Sequence, residues 1–265
     1  MSDPVSRTIL LLDIEKYSDR DDVEQSYLRR MLYGITDRVL ESAGIDATLR
    51  RRADRGDSVM ELIDAAASMT ALLRALLTAA PMELRTVNRM ASMSAQIRLR
   101  AVLATGYVAI DELDGWVGSD LNRACRLLDG ELLRAALRER PDDFALCVSE
   151  AVHGGIVRHD YPGIPRDEFH AVTVDSKNGP LRAWLHGPVP QDMTPDPPDA
   201  PDGSDHAAGS PRPTRTEPAS VTFLGGSPSF GGGFVNGDQH GVSGGVVHGD
   251  VHLGGGDARG RGERA

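Results

Sequence analysis

Apolar residues fall into short blocks along the first 188 positions and thin out afterwards. The first block, Ile9 to Leu12, is continuous and runs into Asp13 and Ile14. A short unbroken apolar run reads as a buried central strand. Val23, Leu28, Met31, Leu32, Ile35, Val39 and Leu40 then recur at helical spacing, and Gly44 supplies the stop. Ala47 to Arg52 is a weak strand and Val59 to Ile63 a stronger one, with a Gly-containing turn at Asp54 to Asp57 between them. Together they predict a β-hairpin. Asp64 is placed to cap an Ala-rich helix that reaches about Ala79, where Pro81 ends it. Residues 82–95 fit a further helical turn or a loop. Ile97 to Leu103 alternates as a strand does; Gly106 interrupts it, and Tyr107 to Ile110 continues. A loop with two glycines and Trp116 follows. Leu121, Ala124, Cys125, Leu128, Leu132, Ala135 and Leu137 then mark a helix that starts near Asp120 and closes at Pro141. Phe144 to Val148 is a strand, and Ser149 caps a short helix, Glu150 to Val157. Phe169 to Val174 and Leu181 to Leu185 form a last hairpin around Ser176 to Gly179.

This order predicts an α+β fold. Its core is a ferredoxin-like βαββαβ unit with an extra C-terminal hairpin, an antiparallel sheet with helices on one face. The folded domain spans 1–188. Residues 189–220 are rich in Pro, Asp, Ser and Thr, and such a segment buries too little surface to offset its ordering entropy, so it reads as a disordered linker. Residues 221–265 form a Gly/Val/His-rich tail with an internal echo, HGVSGGV at 240–246 and HGDVHLGG at 248–255. That tail is open to two readings: a flexible Gly-rich segment, or short stacked strands that assemble.

Charge and cysteine content narrow the function classes. A formal net charge of −10 argues against a general nucleic-acid binder, which needs a basic face. The two cysteines, Cys125 and Cys147, are not in a C-x-x-C pair and lie in apolar surroundings. They read as reduced core residues. No apolar stretch approaches 18 residues, the length of a membrane-spanning helix. The N-terminus lacks the layout of a signal peptide. A cytoplasmic protein is expected.

Taken alone, Asp13 is a strand-end aspartate that caps the next turn. Asp57 changes that reading. A first strand and a following hairpin pair side by side in a βαββ unit, so both carboxylates can reach one point. Paired carboxylates are usual ligands of Mg²⁺. Asn122 and Arg126 sit four apart on a helix and share one face. An amide and a guanidinium there can orient a ribose and stabilise charge on a transferring phosphorus, although an exposed polar helix face has the same pattern.

Three segments together resemble the class III nucleotidyl cyclase catalytic domain. LLLDIEKYS resembles the family's first-strand metal motif, RGDSVMEL its Gly-Asp hairpin, and GSDLNRACRL its Gly-x-x-Val-Asn-x-Ala-x-Arg segment. The resemblance spans roughly residues 7–187. It implies that Asp13 and Asp57, with the Ile14 carbonyl, bind two Mg²⁺ or Mn²⁺ ions per site. It also implies that Asn122 positions the ribose, that Arg126 stabilises the pentavalent phosphorus, and that Lys177 binds the triphosphate; as a residue, Lys177 reads equally as a turn lysine. The family builds its site between two subunits, so a homodimer with two sites follows.

The chain departs from the family pattern in two places. The family's base-reading position, four before the hairpin aspartate, is Ala53 here. Arg52 and Arg55 flank it and can read another base, a pyrimidine included, or pair with acidic neighbours. The companion position falls near Asp114 or Gly115. Lys16 and Tyr17 stand where the family often has Gly and Phe. The expected activity is conversion of a nucleoside triphosphate to a 3′,5′-cyclic nucleotide and pyrophosphate, in a signalling role. The alternative is a catalytically weak nucleotide-binding domain whose tail mediates assembly.

Overall fold

The computed structural model describes residues 2–113, 115–176 and 179–191. The chain divides into two units, Met1–Pro201 and Asp202–Ala265, and every described residue belongs to the first. The tail expectations lie outside the described residues, as does all but the start of the linker.

The strands are β1 (Val5–Ile14), β2 (Arg50–Asp54), β3 (Ser58–Asp64), β4 (Leu99–Ile110), β5 (Trp116–Val117), β6 (Phe144–Ser149), β7 (Phe169–Val174) and β8 (Leu181–His186). The α-helices are α1 (Asp22–Ser42), α2 (Met69–Met90), α3 (Ser119–Asp129), α4 (Glu131–Glu139) and α5 (Glu150–Gly155). One sheet holds all the strands in the order β2-β3-β1-β4-β6-β8-β7, with β5 paired to β4. The first four strands give β4-β1-β3-β2, all antiparallel, which is the expected ferredoxin-like core. Only β4 and β6 run parallel. None of the described helices is long and apolar enough to cross a membrane.

The central strand shows why its sequence is unbroken. Leu10, Leu12 and Ile14 point into one core with α1 and α2; Ile9 and Leu11 point into another with α3 and α4. Helices therefore cover both faces, not the one face expected. The cause is the parallel β4–β6 pair, which needs a crossover. The helices α1 and α2 already fill the first face, so α3 and α4 carry the crossover over the second.

Three further expectations are corrected. The second helix does not start at Asp64 or end at Pro81. The Asp64 side chain accepts from Ala66 N at 3.0 Å in a preceding turn, and Ser68 is the N-cap. Pro81 lies inside α2, where the buried Ala80, Leu84 and Asn88 hold the helix through the proline. Gly106 does not break β4. It sits within the strand because a Cβ there would come within 2.2 Å of Asp120. The long helix from Asp120 to Pro141 is two helices that meet at Gly130.

Candidate active site

The site begins where β1 runs out. Asp13 lies in register between Ser58 of β3 and Arg100 of β4. By strand alternation its side chain shares the face of Ile9 and Leu11, the face covered by α3 and α4. It is only 7 % exposed, and Arg100 ion-pairs with it directly across the ladder. Burial pushes the Asp13 carboxyl up to about 6; Arg100 opposes the shift, and the charges of Asp57 and Asp129 add to it.

The β2–β3 turn delivers Asp57. Gly56 takes a φ of +84°, a left-handed conformation that suits glycine. The Asp54 side chain accepts from Gly56 N at 2.8 Å, and Arg55 N donates to Ser58 O at 3.0 Å. The Asp57 carbonyl accepts the Ile14 N–H at 3.0 Å, which ties the turn to the end of β1. The two aspartates are thus neighbours, and the charge of Asp57 acts on Asp13. The Ile14 side chain is buried on the α1–α2 side, so only its backbone can serve the site.

Beyond Ile14 the chain turns sharply. Lys16 adopts φ 55° and ψ 34°, the left-handed region. The family that this segment resembles often has glycine there, and the backbone keeps a glycine-like shape despite the lysine. Asp21 then caps α1, accepting from Glu24 N at 2.8 Å.

The base-reading candidates separate. Arg52 lies on the α1 side of β2. It donates to Glu61 at 2.5 Å and to Asp37 at 2.7 Å, and its guanidinium sits 4.8 Å from the centre of the Tyr33 ring. Ala53 faces the opposite way and packs with Cys125 against the α3–α4 core. Arg55 is exposed at the turn, and its positive charge is felt at the Cys125 thiol. Burial nonetheless holds that thiol above its ordinary pKa. Both cysteines are free thiols, as expected.

The helix α3 buries Leu121, Ala124, Leu127 and Leu128 and leaves Asn122 exposed and Arg126 half-buried on its outer side. Among the described residues, no hydrogen bond or ion pair joins Asn122 or Arg126 to Asp13 or Asp57. Lys177 and Asp114 lie outside the described residues. Gly115 belongs to a loop closed by the Asp111 side chain, which accepts from Leu113 N at 2.8 Å and Gly115 N at 2.7 Å.

Two residues that act on Asp13 escaped the sequence reading. Arg100 stands beside Asp13 only because β1 and β4 pair in that register. Asp129, at the end of α3, acts on both Asp13 and Cys125. The alternation I-R-L-R put Arg100 on one strand face but named no partner for it.

No group of three or more His, Cys, Asp or Glu ligands is gathered among the described residues. A soft transition-metal site is not present there. Two carboxylates instead fit a hard cation that completes its shell with water and phosphate oxygens. A separate cleft of about 500 Å³ lies between α3 and β8, lined by Thr105, Arg123, Ser149 and Leu181 among others. Thr105 is five residues along β4 from Arg100, roughly 16 Å at strand rise, so this cleft is distinct from the Asp13 end of the sheet.

No family model matches this sequence, and no curated protein does. Solved structures do. An adenylate/guanylate cyclase/hydrolase from Silicibacter pomeroyi is 20 % identical with a TM-score of 0.47, over 71 % of this chain and 99 % of that one. The guanylate cyclase domain of RhGC from Catenaria anguillulae, in complex with GTP, is 14 % identical with a TM-score of 0.45, over 72 % of this chain and 100 % of that one. A bacterial light-regulated adenylyl cyclase is 16 % identical with a TM-score of 0.46, over 72 % of this chain and 94 % of that one. At these identities the likeness says nothing about activity. These solved adenylyl and guanylyl cyclases are what the chain is similar to, each with a TM-score below 0.5.

Proposed function

We propose that this chain is a nucleotidyl cyclase. The observation that carries the reading is the convergence of Asp13 and Asp57. A buried aspartate held beside a second carboxylate is costly without a cation, and Arg100 alone does not bring its pKa back to the ordinary range. In the proposed reaction the ribose 3′-oxygen bonds to the α-phosphorus, the bond to the β-phosphate oxygen breaks, pyrophosphate leaves, and the 3′-hydroxyl proton passes to solvent.

Asp13 and Asp57, with the Ile14 carbonyl, would hold Mg²⁺ or Mn²⁺. Such ions polarise the attacking hydroxyl and neutralise phosphate charge. Arg100 would exchange its contact with Asp13 for a phosphate oxygen. Asn122 would orient the ribose. Arg126 would donate to the oxygens of the transferring phosphorus, where a fixed guanidinium stabilises developing charge. Lys177 would bind the triphosphate. Because no hydrogen bond or ion pair among the described residues joins Asn122 or Arg126 to the aspartates of their own chain, they would act on those of a second copy.

The test is direct. The full chain is incubated with each of the four nucleoside triphosphates and Mg²⁺ or Mn²⁺, and cyclic product is sought by mass spectrometry. Product from at least one triphosphate is expected, and Asp57→Ala should abolish it. Absence of product from all four, with wild type matching the variant, overturns the reading. A second reading, nucleotide binding without turnover and with tail-mediated assembly, is favoured by Ala53, which offers no polar group to a base. It predicts binding to the full chain with no product.

A further inference from the structure

A cleft along the first half of α1 takes no part in the site described above. Its volume is about 580 Å³, and Tyr17, Asp22, Gln25, Arg29, Arg30 and Tyr33 line it. That is the size of a small-molecule site. It lies on the other face of the sheet from Asp13. Tyr17 packs against the core that holds Leu10, Leu12 and Ile14, whereas Asp13 shares the face of Ile9 and Leu11. The two ends of the cleft differ in chemistry. At one end, Arg29 ion-pairs with Asp54, and its guanidinium lies 5.6 Å from the centre of the Tyr33 ring. Arg30 is exposed and makes no hydrogen bond or ion pair among the described residues. The carboxylates on this side, Asp54 and Asp37, are already paired with Arg29, Arg50 and Arg52, so Arg30 keeps an unmatched positive charge. At the other end, the half-buried Tyr17 makes no ring contact among the described residues. The Gln25 amide nitrogen donates to the Tyr17 and Arg20 carbonyls at 3.4 and 2.9 Å, which leaves the amide oxygen able to accept. The Asp22 carboxylate is exposed and has no partner among the described residues. Asp22 and Arg29 are two helical turns apart, roughly 10 Å at helical rise.

We propose that this cleft binds a mononucleotide, with its phosphate on Arg30 and Arg29, its base against the Tyr17 ring, and its N–H and O–H donors on Gln25 and Asp22. A guanidinium pairs with a phosphate by charge-assisted hydrogen bonds. A tyrosine ring offers a stacking face to any base. The acceptors at the Tyr17 end match the amino group of a base and the hydroxyls of a ribose. Asp22 repels a phosphate from that end, so the ligand has one orientation. An anion without a ring would leave Tyr17 and these acceptors unused, and a neutral nucleoside would leave Arg30 unmatched. The proposal stands apart from the cyclase reading, which its failure would leave untouched.

The experiment is equilibrium dialysis of the full chain in EDTA against AMP, adenosine and ribose 5-phosphate, so that no metal-dependent binding contributes. AMP should bind tighter than either fragment by about tenfold or more, the scale of one stacked base or one charged hydrogen bond. Arg30→Ala should weaken AMP about tenfold and leave adenosine within about twofold of wild type. Arg30 is exposed and unpartnered, so this variant should fold. Tyr17→Leu, which keeps an apolar side chain but removes the ring, should weaken AMP and adenosine about fivefold and leave ribose 5-phosphate unchanged. Asp57→Ala should bind AMP as wild type does. Absence of AMP binding overturns the proposal, as does ribose 5-phosphate binding as tightly as AMP, which would make the cleft a bare anion patch. Unchanged AMP affinity in Arg30→Ala overturns it too, and so does loss of AMP binding in Asp57→Ala, which would put the nucleotide at the aspartates.

Discussion

At the scale of single residues, Asp13 sets a pH dependence with a definite sign. Its folded pKa of about 6 lies above the ordinary 3.8. The folded state therefore holds the proton more tightly, and its stability falls as pH rises from about 4 to about 6. Above that window the ionised group costs about 3 kcal/mol. A divalent ion between Asp13 and Asp57 would offset this cost, but only where Asp13 is ionised. Mn²⁺ should raise the melting temperature more at pH 8 than at pH 5, and Asp13→Asn should remove the difference. Equal shifts at both pH values in wild type would place the ion elsewhere. Lys16 gives a second residue-scale prediction. A left-handed conformation costs a non-glycine residue about 1 kcal/mol, part of which glycine returns through its freer unfolded state. Urea unfolding should show Lys16→Gly more stable than wild type by several tenths of a kcal/mol or more, and Lys16→Val less stable. A less stable Lys16→Gly would mean that the lysine side chain makes a contact worth more than the strain. The places of Asp13 near a strand end and Asp57 in a Gly-Asp turn were legible because both have a local signature. Local sequence could not give Arg100, whose partner is 87 residues away in sequence.

At the scale of elements, the arginine crowd of β2 finds its explanation in a buried network. Glu61 has no solvent exposure and receives Arg50 at 2.8 Å and Arg52 at 2.5 Å; Asp37 of α1 accepts from both at 2.7 Å. Burial raises the Glu61 pKa against these two cations. The network clamps the hairpin to α1 and so fixes which side of β2 carries Ala53. Removing the shared carboxylate would leave two guanidinium groups poorly compensated. Glu61→Ala should lose about 3–5 kcal/mol in urea unfolding, and a loss under about 1 kcal/mol would show that Asp37 alone suffices. Sequence showed the arginines but not their partners, because Asp37 and Glu61 meet only once α1 lies on the sheet. The elements themselves were largely legible, and β7 has the bounds that its pattern predicts. Two of the misses share one cause, tertiary contact overriding a local signal. Pro81 and Gly106 are breakers in isolation, yet Leu84 and Asn88 hold one in a helix and Asp120 crowds the other in a strand.

At the scale of the molecule, the unbroken run Ile9 to Leu12 already implied a strand covered on both faces, which the expected single helical layer contradicted. The arrangement that results also sets the last prediction. Asp13 and Asp57 sit at one end of the sheet, while Asn122 and Arg126 lie on the outer side of α3 with no bond to them. On the proposed reading, a complete site takes the α3 of a second copy against these aspartates, and two-fold symmetry would make two such sites. Two inactive variants should therefore rescue each other. Asp57→Ala loses its own aspartate but keeps α3; Arg126→Ala keeps both aspartates and loses the guanidinium. Mixed in equal amounts and allowed to exchange, half of the dimers are mixed, and each mixed dimer has one intact site and one doubly impaired. About a quarter of wild-type cyclic product is expected from that symmetry, against almost none from either variant alone. If the mixture stays as inactive as its parts while sizing shows that mixed dimers have formed, aspartates and α3 serve a site within one chain, and the two-copy assembly is wrong.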